Sequence, residues 1–164
     1  PCEPGKYSSS NGTESCALCP AGTYNPSAGR TSISSCLSVL PGFYAASGAS
    51  NPTACPAGTF SSVVNATNSS VCQSCVAGTY SASGASFCTP CGFGFYSVTV
   101  GATSISTCTQ CPRGTYRNVT GGASAADCFS CPVGTFSTVL GATSIATCQN
   151  CPAGNGFTFL FTFG

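Results

Sequence analysis

Residues 91–116 read CGFGFYSVTVGATSISTCTQCPRGTY, and the way this stretch restarts at Cys111 decides the fold. Cys91 opens a run with Gly94 in its fourth place and Tyr96 in its sixth; Cys111 opens another with Gly114 and Tyr116 in the same places. Between them come a Ser/Thr/Val stretch, a Gly101-Ala102-Thr103 step and a closing Cys108. Carried along the chain, this register gives nine copies, beginning at Cys2, Cys19, Val39, Cys55, Cys75, Cys91, Cys111, Cys131 and Cys151. The fourth place is Gly throughout, from Gly5 to Gly154. The sixth is aromatic in the first eight: Tyr7, Tyr24, Tyr44, Phe60, Tyr80, Tyr96, Tyr116 and Phe136. Every Tyr of the chain sits there. Such self-similarity marks a repeat architecture. Residues 1–154 are read as nine tandem cysteine-rich repeats, and 155–164 as an apolar tail or a boundary with a following segment.

Each slot has a physical task. A Gly at a fixed place implies a positive φ or a close backbone approach, and the aromatic supplies the largest apolar area of its copy. The run Tyr96–Val100 alternates and is rich in β-branched residues, which predicts a short strand. Gly-Ala-Ser/Thr at Gly48, Gly84, Gly101 and Gly141 predicts a turn leading back to the second Cys. The expected fold class is therefore small and disulfide-rich, mostly irregular β-hairpin. Copies come in long and short forms, as in Cys91 to Cys108 and Cys75 to Cys88, and the shortening is expected around the turn. One aromatic and one bridge cannot offset the entropy of ordering a whole copy. Neighbours must pack on one another, which makes the product an elongated tandem-repeat rod.

With 15 Cys in 164 residues, the chain has the composition of a scaffold that oxidises outside the cytosol. The third copy has Val39 where a first Cys belongs and Pro52 where a second belongs. If the two cysteines of a copy bond to each other, one missing bridge explains both losses; pairing between Cys-x-x-Cys neighbours would orphan Cys36 and Cys55. The expected bridges are Cys2–Cys16, Cys19–Cys36, Cys55–Cys72, Cys75–Cys88, Cys91–Cys108, Cys111–Cys128 and Cys131–Cys148, with a partner for Cys151 beyond the present end. The rival reading is zinc, since Cys72, Cys75, Cys88 and Cys91 have a zinc-ribbon spacing. The pattern is continuous rather than grouped in fours, and almost no Lys or Arg stands near to balance a charged Cys₄ site. No metal or cofactor is expected, and no βαβ pattern supports a thioredoxin-like role for any Cys-x-x-Cys.

Charged residues are 4% of the chain and the formal net charge is +1, so nothing marks it for nucleic acid or an anionic membrane. No apolar run approaches the length of a transmembrane helix. There is no His, and Glu3, Glu14 and Asp127 are scattered, which leaves no positioned pair for acid–base catalysis. The expectation is no enzyme. Arg113 and Arg117 hint at a basic patch, weighed against two residues on a solvated face. Acceptor sequons at Asn11, Asn65, Asn68 and Asn118 predict N-linked glycans on the arms, while Asn25 and Asn51 precede Pro and are blocked. The start, Pro1-Cys2-Glu3-Pro4, enters mid-pattern and reads as part of a longer protein. The alternating tail Phe157–Phe163 reads either as a boundary or as a docking strand.

The run Cys-Pro-x-Gly-Thr-Tyr/Phe resembles the ephrin-receptor-like cysteine-rich repeat, most clearly at Cys19–Tyr24, Cys55–Phe60, Cys111–Tyr116 and Cys131–Phe136. The departures are Val39 and Pro52 for Cys, and Leu40, Val76 and Gly92 where Pro is usual. Related modules occur in growth-factor and tumour-necrosis-factor receptors, and long arrays of this kind in large surface proteins of protists and algae, including those similar to flagellar hair (mastigoneme) filament proteins. The resemblance implies an extracellular or cell-surface rod without catalytic residues. The expected function is a structural glycoprotein, self-associating or bound to other extracellular structural proteins, that forms or spaces a filament, flagellar hair or cell coat. The alternative is a receptor-type ectodomain presenting a ligand site.

Overall fold

The computed structural model describes residues 1–9 and 15–152. Asn11, Gly154 and the Phe157–Phe163 tail lie outside the described residues. Among those described there is no α-helix; the regular structure is a series of two-residue strands in two-stranded antiparallel ladders, one ladder to a copy. The aromatic and the residue before it form the first strand, and the residues just after the second Cys form the other. Thr59–Phe60 pairs with Gln73–Ser74, Phe95–Tyr96 with Thr109–Gln110, and Thr115–Tyr116 with Phe129–Ser130. Each ladder thus stands at the base of its copy, beside the disulfide in every copy but the third.

The arm beyond the ladder differs from the sequence expectation. Ser97–Val100 forms no strand, and its turn does not pair back within its own copy. Backbone groups must find partners wherever they are buried, and here they find them in the neighbouring copy. Three bonds recur at all seven junctions between copies one to eight. Between the fourth and fifth copies, Gly58 N–H donates to Ser81 O at 2.9 Å, Ser61 N–H to Ala85 O at 3.1 Å, and Gly84 N–H to Cys55 O at 2.9 Å. At the third and fourth the equivalents are Gly42 to Ser61, Ala45 to Ala66, and Asn65 to Val39. Val39 supplies through its carbonyl what an opening Cys supplies elsewhere.

Contact also reaches two copies ahead. Gly58 lies at φ 82°, and a Cβ placed on it would come within 2.8 Å of the Gly101 carbonyl carbon. Gly22 meets Asn65 in the same way, and Gly94 meets Gly141. From Gly5 to Gly94 the repeated Gly therefore satisfies both demands at once: a left-handed backbone, and room for another stretch of backbone.

This closeness sets the core. The buried residues include opening cysteines (Cys19, Cys55, Cys75, Cys91, Cys111), Val39, the residue after the aromatic in copies two to eight, which is small except at Arg117, and the turn alanines Ala66, Ala102 and Ala142. The aromatics are only half-buried, and Phe136 is exposed. Buried Ser is tolerated because it is bonded: Ser61, Ser97 and Ser137 hydroxyls accept from Val63, Thr99 and Val139 N–H, and Ser81 donates to Thr59 O.

Long arms carry one turn of 3₁₀-helix before the second Cys, at Ile33–Ser35, Ser69–Val71, Ile105–Thr107, Ala125–Asp127 and Ile145–Thr147. The third and fifth copies keep the Gly turn and omit this helix, so the shortening falls mainly between the turn and the second Cys rather than at the turn itself.

Replacing Gly58 by Ala is expected to weaken the fourth-to-sixth-copy contact by about 1–3 kcal/mol from backbone conformation alone. Amide exchange at Ser81 and Gly101 should accelerate accordingly. Gly92, which has open space around it, serves as the control, and Gly92→Ala should change stability by less than about 0.5 kcal/mol. Equal exchange in the two variants would refute the close-approach account.

Candidate functional site

Seven disulfides run in tandem: Cys2–Cys16, Cys19–Cys36, Cys55–Cys72, Cys75–Cys88, Cys91–Cys108, Cys111–Cys128 and Cys131–Cys148. These are the pairs that the joint loss at Val39 and Pro52 pointed to. Their Cα–Cα distances run from 5.6 to 5.9 Å, within the ordinary range for a bridge. Neighbouring cysteines that a zinc site would need together are tied to different partners: Cys72 to Cys55, and Cys75 to Cys88. Cys151 is exposed and has no bridge partner among the described residues.

The structure separates the two arginines of the seventh copy. Arg113 is exposed. Arg117 is only 7% exposed and does not lie on a solvated face. It holds the place taken by Ser97 and Ser137 in the flanking copies, and its guanidinium turns into the arm, donating to Asp127 O and, at 3.3 Å, to Thr120 O. Room is made by Gly122, which stands where other copies have Ala102 or Ala142. A Cβ there would lie 2.7 Å from Arg117 Nε. The clue was present in the register: a large cation in a small-residue slot, paired with a lost methyl five residues on.

Asp127 completes this arm. Its Oδ2 accepts from Ala123 N–H at 2.7 Å and Ser124 N–H at 2.9 Å. Those two amides hold its carboxyl below the usual 3.8, and the Arg117 charge adds to the effect. A carboxyl lowered in this way stabilises the fold above its unfolded value, and that contribution is lost as the pH falls through the lower folded value.

Asn65, Asn68 and Asn118 are all exposed, whereas Asn25 is buried. Asn25 is structural: Nδ2 donates to Lys6 O and Oδ1 accepts from Ser27 N–H. Asn68 heads the 69–71 helix, and its Oδ1 accepts from Ser70 N–H at 3.0 Å. No group of three or more His, Cys, Asp or Glu able to hold a metal ion occurs among the described residues.

Gly122→Ala should cost about 1–3 kcal/mol, because Arg117 has no space to give. The double variant Arg117→Ser, Gly122→Ala recreates the pair of the sixth and eighth copies and should recover most of that loss. Thermal denaturation of the oxidised chain measures both. Simple additivity of the two single effects would show that the residues are not coupled.

A family model described as tyrosine-protein kinase ephrin type A/B receptor-like matches residues 1–36, 63–108 and 105–148. No curated protein matches the chain. The matched stretches cover more than half the chain and coincide with stapled, ladder-bearing copies, so the chain belongs to the ephrin-receptor-like cysteine-rich repeat family.

Proposed function

We propose that this chain is a non-catalytic extracellular structural rod, a glycoprotein segment that spaces or builds a filament or cell coat. The observation that carries the reading is the continuity of backbone bonding: three hydrogen bonds at each junction, repeated without a break across eight copies. An array tied in this way fixes length, as a spacer requires. Seven disulfides and a family of extracellular type agree with an oxidising location. No helix among the described residues is long and apolar enough to cross a membrane.

Surface chemistry favours repetition over a single specialised patch. Alternate copies place exposed aliphatic side chains in matching positions: Val64 in the fourth, Val100 and Ile105 in the sixth, Leu140 and Ile145 in the eighth. These copies touch through Gly58–Gly101 and Gly94–Gly141, so the side chains recur along one series of arms. With so few charges, lateral contact between such series meets little repulsion. A receptor-type ectodomain would need one copy distinguished by an outward charged or aromatic cluster, and the inward turn of Arg117 removes half of the best candidate.

Electron microscopy of the native material should show thin rods of uniform length or filaments of laterally joined rods. Compact particles, or rods appearing only with a soluble ligand bound, would displace the structural reading.

A further inference from the structure

Seven turn positions close on the opening residue of the copy before them, and six are glycine: Gly29, Gly48, Gly84, Gly101, Gly121 and Gly141. The seventh is Asn65, at φ 56° the one non-glycine with positive φ among the described residues. The left-handed region disfavours any side chain, Asn less than most. Its backbone work is the same as that of the glycines: N–H to Val39 O at 2.9 Å, and a carbonyl pressed against Gly22. Glycine would do that work without strain, so the reason for Asn lies in its side chain.

Nearby Asn68 needs no such explanation. It caps the 69–71 helix, a place held by Ser32, Ser104, Ser124 and Ser144 in other copies. Asn65 is exposed, and in Asn65-Ala66-Thr67 the middle residue is buried while the outer two face solvent. The acceptor amide therefore stands on an anchored turn. That turn closes on Val39, in the one copy of the described array that has neither of its two cysteines.

We propose that Asn65 is kept in place of glycine because it carries an N-linked glycan that covers the unbridged third copy. This rests on the reading of the chain as a secreted glycoprotein. In the transfer, Asn65 Nδ2 displaces a lipid pyrophosphate from the anomeric carbon of an oligosaccharide donor. One N–C bond forms, one C–O bond breaks, and the amide proton leaves to the transferase base.

The test uses the full chain secreted from a glycosylating cell. Enzymatic glycan release in heavy-oxygen water, followed by peptide mass mapping, should convert Asn65 to labelled Asp. Glycan at Asn68 or Asn118 with Asn65 bare overturns this inference alone; a chain bare at every sequon overturns the glycoprotein reading with it. Chymotryptic cleavage after Phe43 and Tyr44 reads the covering role. Asn65→Gly restores the common turn and Thr67→Ala keeps Asn65, yet both remove the glycan. Both should be cut several-fold faster than the parent with all bridges intact. Parental rates in both, or acceleration in Thr67→Ala only, would overturn the covering role.

Discussion

In the first six copies the backbone passes so near the copy two places ahead that no side chain fits between them. Gly58 and Gly101 show the constraint, and Gly22 and Asn65 repeat it. Because the approach is backbone to backbone, it can be made only by a residue without a Cβ in a left-handed conformation, which accounts for the fourth-place Gly of those copies; Gly114 and Gly134 keep the left-handed φ with open space around them. Other features follow from this spacing. The residue after the aromatic must be small or, like Arg117, must be given room by a neighbour. The turn must present its N–H to the copy behind. The aromatic is pushed outward to a half-buried position, where its area is shared with solvent.

A core made of sulfur, Ala and Ser buries little apolar area, so stability depends on closed loops and on neighbours. The third copy tests this division of labour within one molecule. It lacks the bridge, yet its ladder, Phe43–Tyr44 with Thr53–Ala54, forms like the others, and Val39 fills the opening-cysteine site completely. Neighbour contacts hold the shape there without covalent help. Elsewhere the staple and the stack act together.

Much of this was legible in the sequence because the repeat displays it. The register located the fourth-place Gly of each copy, the sixth-place aromatic of the first eight and the paired loss at Val39 and Pro52, and those positions do much to set geometry. The arms were harder to read. Alternation in Ser97–Val100 suggested a strand, but alternation reports only which side chains face in, and Ser97 faces in by packing against the adjoining copy. Hydrogen-bond partners one copy away leave no trace in local pattern. Arg117 was misread for a related reason: exposure is normally inferred from residue type, and only the comparison of equivalent slots shows that a cation stands where Ser belongs. The sequons were visible, whereas the unusual φ of Asn65 was not, since it depends on which residue occupies the turn.

Mechanical load brings out a consequence of the uneven distribution of bridges. A pull along the chain cannot straighten a loop that a disulfide closes, so the segments between bonded cysteines, which stand 13 to 17 positions apart, stay out of reach of tension. Between Val39 and Pro52 no covalent tie spans the arm. If its hydrogen bonds to the second and fourth copies part, that segment alone can pay out slack, roughly 45 Å at full extension. Among copies one to eight, the third is thus a short elastic reserve, seated between two bridged copies that limit how far the release can spread.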